Sequence, residues 1–259
     1  MRGACLAFCV LLLLATARGA QAWNGKTHQD IAEAAHQKLP DNLRLLLSYT
    51  TVQEGAVWPD RYRTTPDPSG RTFPSSGHIQ PASRAQADNW LKQAENRYLE
   101  NDLENAALYL GIAAHLISDS VTLVHNIDWT NLHEVYEAQG EQFYPAEPWG
   151  IAGFNLEQKL AEYYNGASAK WQSWQSTRDP NIVSEGVDLA ASYTYNSWSQ
   201  ALGISPQMQP EQLNQPINLG LAATAAIVIL VVAAAAFYRH YRHGKSSGYS
   251  SVPLQPQPP

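Results

Sequence analysis

The sequence predicts an all-α protein, and three observations support this fold class. Apolar residues recur at helical spacing in several segments, as Ile31, Ala35 and Leu39 do in the first. No stretch alternates apolar and polar residues for long enough to indicate a strand. The chain has 259 residues and 44% hydrophobic content, enough for one core. We therefore expect a compact multi-helix domain at residues 23–203.

Six helices are predicted in chain order. They are expected at residues 27–39, 41–47, 83–101, from 102 through 119, 156–174 and 181–202. Residues 51–83 are rich in Pro, Gly, Ser and Thr, so this segment is predicted to be mostly loop. The loop carries two residues of chemical interest, Asp60 and His78.

The first 22 residues are predicted to be a secretory signal peptide. Arg2 precedes an apolar run, and Ala20-Gln21-Ala22 has the small-x-small pattern of a cleavage site. An uncleaved anchor helix is the alternative, which the short apolar run disfavours. Cleavage would expose Trp23 as the N-terminus. Both cysteines, Cys5 and Cys9, would leave with the signal, so the mature chain would contain no thiol.

The other end is predicted to attach the protein to the cell membrane. Residues 204–217 read as a Pro/Gln-rich tether, and 218–238 as a transmembrane helix rather than a buried core helix. The tail at 239–259 begins with a basic flank and is expected to be disordered. By the positive-inside rule this flank is cytoplasmic, so the main domain is expected to be extracellular on a single-pass protein.

The charge is unevenly distributed along the chain. Of 17 basic residues 12 lie in residues 23–216, together with all 23 acidic residues. This acidic balance disfavours broad electrostatic binding of nucleic acid. It does not exclude a nuclease, because bound metal would change the local field.

The stretch at residues 115–137 holds two histidine–carboxylate pairs. His115 and Asp119 stand four apart, as do His133 and Glu137, with His125 between the pairs. Residues four apart share one helix face, so each pair can hold a cation. The first pair lies in an apolar segment typical of a buried helix, where unpaired polar groups are costly. Imidazole and carboxylate ligands without thiolate therefore favour catalytic zinc over histidines on a solvated surface.

Further residues of ligating types precede this stretch. In chain order the candidate metal ligands are Trp23, His28, Asp60, His78, His115, Asp119, His125, His133 and Glu137. The set resembles the superfamily of bacterial zinc-dependent phospholipases C and single-strand-specific fungal and plant nucleases. The resemblance covers residues 23–137 and includes the signature His-x3-Asp-x5-His at 115–125. It implies a secreted all-α domain that binds three zinc ions.

The resemblance also implies how the ligands are shared among the ions. One zinc is expected on Asp60, His78, His115 and Asp119, a second on His125, His133 and Glu137, and a third on Trp23 and His28 with Asp119 as a bridge. Hydrolysis of a phosphodiester by metal-activated water is the implied activity, with Asp60 orienting the water. Arg63 matches a phosphate-contacting arginine of the nucleases, and a surface arginine without a role is the alternative.

The chain departs from the family pattern at one place inside the signature. The family usually has Gly-Asp-x-x-Gln-Pro where residues 118–123 read SDSVTL. We expect this change to alter the packing around the ligands and to affect rate more than ligation. No specific match extends beyond Glu137, and substrate pockets are commonly built from such variable parts.

A phospholipid is the expected substrate, cleaved to diacylglycerol and a phosphorylated headgroup. Glu137 at the end of the second pair is phospholipase-like, the transmembrane tether keeps the domain beside lipid, and no basic track is present. The spacing of Trp23 and His28 and the Asp60-x-x-Arg63 pattern are nuclease-like, so a nuclease is one alternative. A non-catalytic surface protein stabilised by zinc is another. Nothing in the sequence indicates the oligomeric state.

Overall fold

The computed structural model describes residues 25–126 and 132–208, and this part of the chain is helical. Its helices are α1 (Gly25–Lys38), α2 (Asp41–Leu46), α3 (Tyr49–Arg61), α4 (Ala82–Leu99), α5 (Leu103–Val121), α6 (Leu123–Asn126), α7 (His133–Gly140), α8 (Leu156–Thr177) and α9 (Pro180–Ala201). A 3₁₀ turn at Ser75–His78 precedes α4. The described residues contain no strand, which confirms the predicted all-α class.

Helix α5 is the centre of the fold. Every residue from Tyr109 to Val121 is buried, so this helix is surrounded by others on all sides. Helices α3 and α4 pack along it most closely, and α9 packs on both α5 and α1. A helix that is apolar all round is expected in this position. The prediction that the segment through His115 and Asp119 is buried is confirmed.

Side chains before four of the helices accept the hydrogen bonds that begin them. Ser48 accepts from Thr51 N–H before α3, and Asp102 from Asn105 N–H before α5. Asn155 and Asp179 do the same before α8 and α9, and Pro180 at the first position of α9 suits the start of a helix. The starts of α5, α8 and α9 agree with the predicted helix starts to within one residue, whereas no helix was predicted at α3.

The predicted loop at residues 51–83 is wrong in its first part, because α3 continues to Arg61. The segment has Gly55 and Pro59 inside the helix, and both residues lower helix propensity. Val52, Ala56 and Trp58 are nevertheless buried, so packing against α5 outweighs the local preference. Asp60 therefore lies on the last turn of a helix and not in a loop.

Helices α3 and α5 cross at a pair of glycines. A Cβ on Gly111 would lie 2.2 Å from the carbonyl oxygen of Val52 and 2.8 Å from the Cα of Gly55. A Cβ on Gly55 would lie 2.3 Å from the carbonyl oxygen of Leu108. The two backbones are in direct contact, so no residue with a side chain fits at either position.

Both chain ends lie outside the described residues. The predicted signal peptide, Trp23, the transmembrane helix at 218–238 and the tail at 239–259 are among the residues left undescribed, as is most of the tether at 204–217. Among the described helices, none combines the length and the apolarity that a membrane crossing requires.

The loop between α3 and the 3₁₀ turn is organised by Asp67. One carboxylate oxygen accepts from the N–H groups of Ser69 and Arg71 at 2.9 and 2.8 Å, and the Ser69 hydroxyl adds a third bond. Arg71 Nε donates to the other oxygen at 3.0 Å. Burial alone would raise the pKa of Asp67, but these hydrogen bonds outweigh it and lower the pKa to about 2.

Gly111→Ala should destabilise the protein by at least about 3 kcal/mol, because the new methyl meets backbone atoms that cannot move aside. Urea denaturation monitored by circular dichroism measures this free energy of unfolding. Gly166→Ala is the matched control, since a Cβ there has nothing within 4 Å on α8. The control should be neutral or gain about 0.5–1 kcal/mol. Equal effects of the two substitutions would contradict the close crossing.

Asp67→Asn should lower stability at neutral pH and lose this effect in acid. The folded pKa of about 2 lies below the ordinary value of 3.8, so the stabilisation is present above 3.8 and disappears as the pH falls towards 2. Denaturant titrations of both proteins at pH 7, 4 and 2.5 check this. A stability difference that stays constant over the three conditions would show that the carboxylate charge is not responsible.

Candidate metal centre

Five side chains from four elements converge beside the glycine crossing. His28 comes from the first turns of α1, Asp60 from the end of α3 and His78 from the 3₁₀ turn. His115 and Asp119 come from one face of α5, four residues apart as predicted. Apart from Asp60, which is slightly exposed, these side chains are buried. The fold thus gathers histidines and carboxylates that are up to 91 positions apart in the sequence.

The Asp119 carboxylate is the centre of this group. Its Oδ2 lies 2.8 Å from Nδ1 of His78 and 3.3 Å from Nε2 of His115. Its Oδ1 lies 3.7 Å from Nε2 of His28 and 3.9 Å from Nδ1 of His125. The ligand atoms of His78, His115 and Asp119 all lie within 4.8 Å of one another, close enough to share one ion.

A second group of the same kind includes Asp60. Ligand atoms of His28, Asp60 and His115 also lie within 4.8 Å of one another. The rings of His28 and His115 stack with their centroids 3.8 Å apart. His115 therefore belongs to both groups. The resemblance assigned His28 to an ion with Trp23, and that assignment stays a prediction because Trp23 lies outside the described residues.

The second histidine–carboxylate pair forms a third group with His125. Nε2 of His133 lies 2.7 Å from Oε1 of Glu137, and Nε2 of His125 lies 3.2 Å from the same oxygen. His133 and Glu137 are four apart on α7, and His125 is on α6. All three side chains are buried. Of the nine predicted ligands, the eight that are described thus lie in groups suited to a metal ion.

Burial lowers the pKa of some of these histidines, and nearby carboxylates raise the pKa of others. Burial and the neighbouring His115 lower the pKa of His28 well below its usual value, and burial likewise lowers that of His78. Burial opposes protonation of His115 too, but Asp119 and Asp60 raise its pKa to about 9. In the metal-free chain one proton on His115 thus balances Asp119, whose pKa burial would raise but His115 and His125 hold well below its usual value.

These residues fit zinc on the basis of their chemistry. Among the described residues, two buried ligand atoms have no hydrogen-bond partner: Oδ1 of Asp119 and Nε2 of His78. A buried carboxylate oxygen without a partner is costly, and a cation among the neighbouring imidazoles removes that cost. Histidine nitrogens and carboxylate oxygens without thiolate are the usual ligands of catalytic zinc.

Arg63 lies beside the group and pairs with Asp60. Its guanidinium donates to the Asp60 carboxylate from three residues further along the chain, just beyond the end of α3. Both side chains are largely buried, with 18% of Arg63 and 10% of Asp60 exposed. The pair marks the place where the buried ligands meet the solvent.

Three acceptors around the ligands were not predicted from the sequence. Nδ1 of His115 lies 2.8 Å from the carbonyl oxygen of Ala56, and Nδ1 of His125 lies 3.1 Å from that of His78. Nδ1 of His28 lies 2.6 Å from the Ser118 hydroxyl. The only sequence signal for any of them was the serine at position 118, where the family usually has glycine.

An all-α domain with three buried histidine–carboxylate groups could hold metal ions of the kind that metallohydrolases use. A family model described as zinc-dependent phospholipase C matches residues 27–178. The chain belongs to this family, as the resemblance of its ligand pattern predicted. A search of curated protein sequences finds no significant match.

Among solved structures the chain is similar to alpha-toxin of Clostridium perfringens from an avian strain. The identity is 17% and the TM-score 0.48, over 71% of this chain and 63% of the toxin chain. The chain thus spans less than two thirds of the length of that solved structure.

Zinc added to the metal-free protein should raise its melting temperature. At a free zinc concentration 1,000 times the Kd, binding stabilises by about 4 kcal/mol. Asp119→Asn should remove most of this shift, because the central carboxylate contacts ligands of every group. Differential scanning fluorimetry with and without zinc measures the shift.

Asp88→Asn is the matched control for Asp119→Asn, because Asp88 is an exposed aspartate on α4. Zinc should raise the melting temperature of this variant as much as that of the wild type. An Asp119→Asn variant that gains as much from zinc as the wild type would show that the ion binds elsewhere.

Proposed function

We propose that the protein is a zinc-dependent phospholipase C that cleaves glycerophospholipids to diacylglycerol and a phosphorylated headgroup. The observation that carries this proposal is Asp119, a buried carboxylate placed among the ring nitrogens of His28, His78, His115 and His125. Membership of the zinc-dependent phospholipase C family supports it. The matched range, residues 27–178, spans the positions of eight of the nine proposed ligands.

Eight described residues and Trp23 are proposed to hold three zinc ions. The division among the ions suggested by the family resemblance places His28 with Trp23, whereas His28 also lies beside Asp60 and His115. Zinc at these positions supplies a Lewis acid and lowers the pKa of water, which is the chemistry that phosphodiester hydrolysis needs. Cleavage before Trp23 is part of this proposal. Trp23 would bind zinc through its backbone, and its α-amino group is free to do so only if Trp23 is the N-terminal residue.

Asp60 and Arg63 are proposed to contact the attacking water and the substrate phosphate, respectively. The guanidinium of Arg63 holds the Asp60 carboxylate in place, and the partial exposure of both allows substrate to approach. The carboxylate would accept a hydrogen bond from the attacking water and orient it. Arg63 has further N–H groups with which to contact a phosphate oxygen of the substrate.

Attachment to the cell membrane, with the domain outside, is also proposed. The support is the uncharged run at 219–238 followed by Arg239, Arg242 and Lys245. A tether of about 14 residues would keep the domain near a lipid substrate. Phospholipid is therefore the proposed partner, and nucleic acid is a partner only if the protein is a nuclease.

The test is to offer two substrates to one zinc-loaded sample. Phosphatidylcholine vesicles should release phosphocholine and diacylglycerol, whereas single-stranded DNA should stay intact. Removal of zinc by a chelator should abolish the activity, and added zinc should restore it. Cleavage of DNA alone would move the protein to the nuclease class. Zinc binding with neither activity would overturn the enzymatic proposal in favour of a zinc-stabilised surface protein.

Arg63→Ala should reduce kcat/KM for phosphatidylcholine about 10- to 100-fold, the cost of one charge-assisted hydrogen bond. Arg61→Ala is the matched control, since Arg61 is an exposed arginine at the end of α3, two residues before Arg63. It should keep the wild-type rate to within about twofold. Equal losses in the two variants would assign the effect to general charge, and no loss in either would make Arg63 a surface arginine.

A further inference from the structure

Ser118 lies on α5 between two of the proposed ligands and contacts a third. Its side chain is fully buried, and its hydroxyl lies 2.6 Å from Nδ1 of His28 on α1. The same hydroxyl donates to the carbonyl oxygen of His115 at 2.7 Å. A hydroxyl has a single hydrogen, and a carbonyl oxygen only accepts. Ser118 therefore has only a lone pair left for His28, whose Nδ1 must be the donor.

We propose that Ser118 is a positioning residue that fixes the tautomer and ring orientation of His28. With the proton on Nδ1, the lone pair of the ring is on Nε2. That atom is the one directed towards the centre, 3.7 Å from Oδ1 of Asp119. Ser118 thus prepares His28 to bind a metal before any ion arrives. This inference rests on the zinc centre of the proposed function.

Two other histidines are oriented in the same sense by different groups. Nδ1 of His115 faces the carbonyl oxygen of Ala56, and Nδ1 of His125 faces that of His78. Both carbonyls require a proton on Nδ1, which leaves Nε2 for the centre. His28 differs because its acceptor is a side chain. That side chain lies at the position where the family usually has glycine.

A neighbouring serine provides a matched control. Ser120 is also fully buried on α5 and also donates to a backbone carbonyl, that of Leu116 at 2.8 Å. Its other partner is the hydroxyl of Ser83, which is not a proposed ligand. Ser118→Ala and Ser120→Ala remove the same atom from the same helix. They differ in that Ser118→Ala alone removes the acceptor of His28.

The first measurement needs no zinc. Nitrogen-15 NMR of the histidine rings in the full-length metal-free protein distinguishes a proton on Nδ1 from one on Nε2. Wild type and Ser120→Ala should show His28 protonated on Nδ1, whereas Ser118→Ala should show a mixture of tautomers. Ser118→Thr keeps a hydroxyl and should restore the Nδ1 form.

The second measurement is chelator competition with zinc on the same proteins. Ser118→Ala should weaken the affinity for one ion about 10- to 100-fold, the usual cost of losing a partner of a ligating histidine. Ser118→Gly also lacks the hydroxyl and should give the same loss, whereas Ser118→Thr keeps the hydroxyl and should keep the wild-type affinity. Ser120→Ala should keep the wild-type affinity.

The two measurements separate failure of this inference from failure of the proposed function. An unchanged His28 tautomer and unchanged zinc affinity in Ser118→Ala would overturn the inference. So would losses of equal size in Ser118→Ala and Ser120→Ala. A wild-type protein that binds no zinc would overturn the proposed function, and the NMR comparison would still decide whether Ser118 sets the tautomer.

Discussion

The contact between Gly55 and Gly111 is the constraint on which the rest of the structure depends. It brings the backbones of α3 and α5 together without intervening side chains. One residue beyond Gly55 on α3, the carbonyl of Ala56 accepts from His115, which is one turn beyond Gly111 on α5. The same approach brings Asp60, at the end of α3, into the group that includes His115. The crossing of two helices therefore sets the spacing of the ligands.

The electrostatics of the centre follow from placing one carboxylate among several imidazoles in a buried site. Desolvation lowers the pKa of His28 and His78, whereas the field of the carboxylates outweighs it at His115 and His125 and raises their pKa. In the metal-free chain the proton on His115 occupies the place where a cation would act. A bound metal ion would replace that proton with a higher charge, so the buried carboxylate would have a partner in both states.

The sequence was sufficient to predict most helices and to single out the eight described histidines and carboxylates that the fold brings together, because both leave local patterns. His115 and Asp119, four residues apart in an apolar segment, predicted that α5 would contribute two side chains to the candidate metal centre. The helix that holds Asp60 was missed because Gly55 and Pro59 are signals of irregular structure. These residues are tolerated in the helix because they pack on α5. That packing depends on a segment that is distant in the sequence.

The division of ligands among ions and the partners around them were beyond the sequence for the same reason. His28 and His115 are far apart in the chain, and no local pattern indicates that their rings stack. Ser118 was visible as a departure from the family pattern, but its effect depends on which residue of α1 faces it. The orientation of a ring depends on tertiary contacts, whereas the spacing of residues along a helix can be read from the sequence.

His78 has a consequence of its own, because two parts of the residue serve two different groups. Its ring contacts Asp119, and its backbone carbonyl accepts from the ring of His125 in the third group. An ion that fixes the His78 ring also restrains the carbonyl that orients His125. If ions bind at both places, their occupancies would be linked through His78, and the linkage would be reciprocal.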